Sequence, residues 1–363
     1  MNRFLVFTIC VISFVLHINA QKRVVDAVDN SPITSASIFD GSGNVVGFTT
    51  QDGDFSAVPD SEYPITIRCM GYEPLTIVSP ENKEWQLKPL FYELSEIVVD
   101  PAKRNVLKQT FYIREYYSLC SKTDTITYFV EHMAERFVPL TKEGKFGGKT
   151  SPRITNTRCY TRRKIADKDS FTVASKTNIP PILSFLDIKD KMISAPELFK
   201  GKTENLYEKP GKSGMSMIYK QNSQIFTMIE DHLAEKKSHS ASSFALKVLG
   251  LDISLNQLFT KYIYQVNDKG EYMPGDLLEA SITVQGDGKG KYIRKILNSA
   301  ESILIRLVVE AYVADNEYLT KEDAKEDYKN KSSYVAFEIP SIVPPLTPAI
   351  QQLVQQAKAT SKK

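Results

Sequence analysis

The residues best suited to chemistry in this sequence are a histidine and a carboxylate three positions apart. His132-Met133-Ala134-Glu135 can give a zinc ion two ligands, and His232 or His239 would supply a third. A working zinc would also need an open coordination position, a general base and an arginine to hold a carboxylate. The surrounding pattern argues against it. Ile126, Tyr128 and Val130 alternate with period two into His132 and Ala134, so a strand here points His132 and Glu135 to opposite faces. The sequence therefore assigns no catalytic residue, no cofactor and no metal, and keeps His132, Glu135 and His232 as the metal candidates to be placed.

Other short patterns are weaker. Gly211-Lys212-Ser213 has the end of a phosphate-binding loop, but Leu206 stands where the loop's first glycine belongs, so a plain loop is expected. Arg158, Arg162, Arg163 and Lys164, interleaved with Cys159 and Tyr160, form the strongest basic cluster and a possible binding surface for an acidic partner or lipid headgroups. Net charge is only +3, which gives no argument for nucleic acid, and such charges on an exposed strand ordinarily face water. The run Glu322, Asp323, Glu326 and Asp327, mixed with lysines, reads as a solvated helix with i,i+4 pairs. Eighteen tyrosines and eighteen phenylalanines would line a groove or fill a core, and the core is expected because aromatic side chains carry large buried areas.

The elements that must position these residues start with a leader. Arg3, the apolar run 4–16 and Ala20 before Gln21 have the layout of a secretory signal, so residues 1–20 are expected to be removed. The apolar run is shorter than the ~20 residues that cross a bilayer, and no later segment is long and apolar enough. An exported location, in the periplasm or at the outer membrane, follows as the expectation, with no transmembrane span in the mature chain. Cys69 continues the alternation of Ile65 and Ile67 and is expected in a core. Cys120 and Cys159 have no metal-ligand spacing, and their pairing is open.

From 21 to 99 the chain reads as seven short strands parted by turns, the pattern of an all-β antiparallel sandwich. Asp52-Gly53 signals a hairpin. Three blocks in order, Thr50-Gln51-Asp52-Gly53-Asp54-Phe55, Ile67-Arg68-Cys69-Met70-Gly71-Tyr72-Glu73 and Leu94-Ser95-Glu96-Ile97-Val98-Val99, resemble the carboxypeptidase regulatory-like domain of Bacteroidota envelope proteins. The resemblance covers about 80 residues. It implies a transthyretin-like sandwich of the kind found at the N-terminus of exported proteins, and it implies no peptidase chemistry. Asp52 and Asp54, with Asp29 or Asp40 nearby, are read as turn residues because calcium needs six or more oxygens.

A polar stretch at 101–105 marks a boundary near residue 100. The region 100–345 is expected to be a larger α+β domain, followed by a helix and tail over 346–363. Helices are expected at 106–119, 225–237 and 244–264, the second from the spacing of Ile225, Met228, Ile229 and Leu233. Strands are expected at 125–138, 154–164, 272–284, 292–298, 303–314 and 334–339, with the glycines of 286–290 as a hairpin loop. The functional expectation is a non-enzymatic exported protein that binds or scaffolds an envelope protein, glycan or lipid. Two alternatives stand beside it: a zinc metallocarboxypeptidase-like enzyme using His132 and Glu135, and a carrier of a hydrophobic ligand with its sheet curled around the helices of 225–264.

Overall fold

The computed structural model describes residues 22–56, 58–90, 92, 104–145, 153–166, 168–174, 193–194, 205–208, 216–221, 224–233, 239–240, 252–267, 271–297, 299, 301–330 and 336–361. The protein is mainly β, and it divides into two compact units. The first comprises the chain to Gly41 with Val46–Pro89, and the second Ser42–Val45 with Leu90–Lys363.

Seven strands are described in the first unit: β1 (Lys22–Asp26), β2 (Ser37–Phe39), β3 (Val45–Phe48), β4 (Asp54–Phe55), β5 (Ile65–Arg68), β6 (Leu75–Ile77) and β7 (Glu84–Leu87). They form two sheets, β4-β1-β7 and β3-β2-β5-β6. Val24, Phe55, Trp85 and Leu87 from one sheet share a core with Ile38, Ile65, Ile67 and Ile77 from the other. Cys69 is buried in it. Two expectations need correction. The β1 and β7 strands run parallel, so the unit is not wholly antiparallel. The Asp52-Gly53 turn joins strands of different sheets, so it is a crossing and not a hairpin. Gly53 has φ +75, and a Cβ there would meet the Val24 carbonyl at 2.5 Å, which is why the turn needs glycine.

The second unit is built on one large antiparallel sheet. Its strands are β8 (Val106–Cys120), β9 (Asp124–Pro139), β10 (Arg153–Ile165), β11 (Lys168–Ala174), β13 (Asn205–Glu208), β14 (Ser216–Gln221), β15 (Ile225–Asp231), β16 (His239–Ser240), β17 (Asp252–Gln265), β19 (Leu277–Lys289) and β20 (Ile303–Leu319). The order is β11-β10-β9-β8-β20-β19-β17-β15-β14-β13, with β16 paired to β17. Two-residue strands β12 (Ile193–Ser194) and β18 (Glu271–Tyr272) pair separately. The helices are α1 (Lys291–Ile296), α2 (Lys321–Lys329) and α3 (Pro348–Thr360).

The expected helices at 106–119, 225–237 and 244–264 are contradicted, since described residues there form β8, β15 and β17. For β8 the physical reason is burial on both faces. Along β8 nearly every residue is buried, so the alternation that marks a one-sided strand is erased and the apolar run fits either period. The expected strand at 292–298 is helix α1 instead, and Gly286, Asp287 and Gly288 lie inside β19 rather than in a loop. A Cβ at Gly286 would meet the Ser254 carbonyl at 2.5 Å, so glycine lets β19 approach β17 beside a bulge at Leu255/Gln257. No strand is assigned to 336–339; residues 334–335 lie outside the described set. Strands β9, β10 and β20 and helices α2 and α3 fall where the sequence put them.

The sheet is curled. Burial first, then Tyr272 and Tyr262, hold the Tyr264 hydroxyl of β17 well above its ordinary pKa, and Arg136 of β9 lies near enough to oppose the rise although β8, β20 and β19 lie between them. On a flat sheet those strands would be about 19 Å apart. The concave face carries Phe111, Ile113, Val130, Ile282, Val309 and Ala311 in one apolar cluster. Its end is tied by Gln109, which donates to the Pro274 carbonyl at 3.0 Å and to Asn316 at 2.9 Å, and accepts from Arg136.

Candidate functional site

The antiparallel register sets charged residues of the outer face side by side. Arg158 of β10 stands opposite Glu131 of β9, Glu131 opposite Arg114 of β8, and Arg114 opposite Glu310 of β20. The row continues through Ser281 of β19 to Lys261 of β17. Plus and minus thus alternate over the first four strands, which is the favourable order for directly opposed side chains. Glu131, Arg114, Glu310, Ser281 and Lys261 are buried, and Arg158 at the end is exposed.

Tyrosines flank the row and carry its hydrogen bonds. Arg114 Nε donates to the Tyr112 hydroxyl at 3.1 Å, and that hydroxyl donates to Glu131 Oε1 at 2.5 Å. Tyr312 donates to Glu310 Oε2 at 3.1 Å, with Tyr116 at 3.5 Å from the same oxygen. Burial alone would lower the pKa of the Arg114 guanidinium, but Tyr116, Tyr112 and Glu310 more than offset it and hold the charge on. Burial raises the Tyr112 hydroxyl, opposed by Arg114 and reinforced by Glu131. On one side of the row, Tyr160, Phe129 and Tyr116 face one another across β10, β9 and β8, with ring centroids 6.1 and 5.2 Å apart.

A C-terminal segment covers this face. Residues 336–347 have no regular structure and contain three prolines, at 340, 344 and 345. Arg114 Nη1 donates to the Pro344 carbonyl at 2.6 Å. Phe337 meets Tyr112 edge-on at 6.5 Å, and the Arg158 guanidinium lies 3.9 Å from the centre of the Phe337 ring. Helix α3 then starts with Thr347 capping the Ile350 amide and Pro348 in its first turn, and it packs on β10 and β11. Ile350, Leu353 and Ala357 form its buried side.

The residues singled out from sequence fall in separate places. His132 lies on the concave face, with Nδ1 2.9 Å from Thr157 Oγ1 and Nε2 3.5 Å from Glu115 Oε1. Tyr117 donates to the other Glu115 oxygen at 2.7 Å. Glu135 lies on the outer face, paired with Arg153 at 2.7 Å and Lys108 at 3.6 Å. The two are thus on opposite sides, as the period-two pattern required. His232 follows β15 and meets Thr260 at 3.0 Å and Glu230 at 3.8 Å. Among the described residues no three His, Cys, Asp or Glu side chains gather as a metal site. Cys120 and Cys159 are not joined in a disulfide. Gly211-Lys212-Ser213 and Leu94–Val99 lie outside the described residues.

The basic cluster is not one surface. Arg158 and Arg162 share the outer face, where Arg162 forks onto Asp169 at 3.0 and 3.1 Å. Arg163 points the other way and pairs with Asp124 at 2.5 Å. Lys164, opposite Thr125, is exposed. The acidic helix α2 is docked and not merely solvated: Lys108 reaches Asp327 at 2.6 Å, Arg153 reaches Asp327 at 3.4 Å and donates to the Tyr328 carbonyl at 3.0 Å. Sequence reasoning named Arg158 but missed Arg114, Glu131 and Glu310. Their only sequence signal is a charge inside a long, largely apolar run, and its meaning depends on a register that the sequence alone does not reveal.

No protein-family model matches this chain, and a search of curated proteins finds no match.

Proposed function

We propose that this is an exported envelope protein that acts by binding or scaffolding a partner, with a carboxypeptidase regulatory-like, transthyretin-like sandwich at its N-terminal end. The leader-like run before Gln21 supports export. Two of the three resembling blocks fall at the turn into β4 and along β5 with the turn after it, the parts of a sandwich they would shape. The observation that carries the binding reading is the charge row Arg158–Glu131–Arg114–Glu310. Opposite charges set side by side by the register orient a partner and give specificity more than they add affinity, so this row suits recognition. No helix among the described residues is long and apolar enough to cross a membrane.

The test is fractionation of expressing cells with mass spectrometry of the mature N-terminus, together with metal analysis of wild type and His132→Ala. Mature protein beginning at Gln21 in the envelope fraction, with no stoichiometric zinc, is the expected result. A cytosolic protein retaining residues 1–20 would remove the export reading, and one zinc per chain lost in His132→Ala would replace binding with metal chemistry. The described residues of the helices that the hydrophobic-carrier alternative placed inside the sheet form strands β15, β16 and β17.

A further inference from the structure

The outer face of the large sheet carries a row of buried charge beneath a covering segment. Beneath residues 336–347 lie a buried arginine, two buried glutamates and tyrosines that hydrogen-bond to them, where apolar side chains would seal a structural contact at lower desolvation cost. The covering segment meets this face through few anchors. Most of its residues are exposed or half-exposed, and only Pro344 and Thr347 are buried. It lies without regular structure, gives Arg114 a main-chain carbonyl, and places Phe337 against Tyr112 and Arg158. Those are the means by which grooves take extended, proline-containing peptides: a donor for a free carbonyl, and aromatic and guanidinium surfaces for a side chain.

We propose that the charge row and its tyrosines are a docking groove for an extended, proline-containing peptide segment of a partner protein, and that residues 336–347 are a built-in occupant which the partner displaces. This rests on the binding reading above and deepens it by naming the ligand class. The strap competes with the partner from within the chain, so apparent affinity is set by the fraction of molecules in which the strap is out. Weakening the strap at a residue the partner does not use therefore tightens partner binding. That sign is opposite to what a structural strap would give.

The experiment uses the full chain and a fluorescein-labelled peptide of residues 336–348, followed by anisotropy. Phe337→Ala loosens the strap while the free peptide still brings its own phenylalanine. We expect Phe337→Ala to bind the peptide at least tenfold more tightly than wild type. Uptake should fall at least tenfold for a peptide with alanine at the Phe337 position, and a scrambled peptide of the same composition should not bind. Arg158→Gln, at the exposed end of the row, should weaken binding in the Phe337→Ala background. Circular dichroism and thermal unfolding check that each variant is folded. A folded Phe337→Ala protein that takes up no peptide would overturn the proposal, as would one that binds the scrambled peptide equally. Light scattering showing a strap-exchanged dimer with no peptide uptake would also overturn it, by making the occupant a second copy. Export is read by fractionation, so a failure here leaves that reading standing and a failure there leaves this one standing.

Discussion

The two faces of the large sheet are made from the same strands and follow opposite rules. On the concave face β8 contributes Phe111 and Ile113 to an apolar cluster that closes as the sheet curls. On the outer face the alternate residues Tyr112 and Arg114 join a hydrogen-bonded charge network under a C-terminal strap. The concave apolar cluster is non-directional and tolerant of shape-conserving change, apart from the polar contacts of Gln109, Arg136, Glu115 and His132 on the same face, while the outer network is held by geometry and by its hydrogen-bond partners. Concave-face losses should therefore scale with volume removed, and outer-face losses with the charge left unpaired.

The largest expected effects separate these rules. Arg114→Ala removes the cation that the register sets between buried Glu131 and Glu310, with its hydrogen bonds to Tyr112 and the Pro344 carbonyl, and should cost about 3–5 kcal/mol in urea unfolding. Replacing Arg114, Glu131 and Glu310 together by Met, Leu and Leu should recover most of that loss, because desolvation of all three charges is removed at once. Phe111→Ala on the concave face should cost a similar ~3–5 kcal/mol, through the cavity it leaves, with no recovery from changing charges elsewhere. A triple variant less stable than Arg114→Ala would break the comparison.

A smaller effect sharpens it by pH. The Lys108 amine is half-buried, and that burial lowers its pKa, but Asp327 and Glu135 more than offset this and raise it above its ordinary value. A raised folded-state value contributes stability that is fully present below the unfolded pKa of about 10.4 and is lost as pH rises through the folded one. Lys108→Met should cost about 1–3 kcal/mol at neutral pH and should flatten the loss of stability above pH ~10. Equal alkaline slopes in both proteins would contradict the assignment. Smallest of all, Thr347→Ala should cost about 1 kcal/mol by removing the cap on α3.

Much of the strand framework is legible in the sequence, and the reasons are local. Ile126, Tyr128 and Val130 announce β9 because that stretch alternates; Pro348 and the apolar spacing of Ile350, Leu353 and Ala357 announce α3. Strands β8, β15 and β17 are not legible as strands. In β8 side chains buried on both faces remove the period that tells a strand from a helix, while around β15 Ile225, Met228, Ile229 and Leu233 happen to fall at helical intervals. The charge row is not legible at all before the register is known. Its members come from different strands, and a slip of one residue would send each to the other face. His132 and Glu135 show the converse: their separation by faces follows from parity alone.

The central claim is that the outer face holds a partner's peptide where the strap rests. A photoreactive Arg158→p-benzoylphenylalanine replaces the side chain that lies 3.9 Å from the Phe337 ring. Irradiation of intact cells followed by mapping of the adduct should give two products, one to the chain's own residues around Phe337 and one to a proline-containing segment of another envelope protein. Adducts confined to the chain's own strap, in cells and in purified protein alike, would contradict the account.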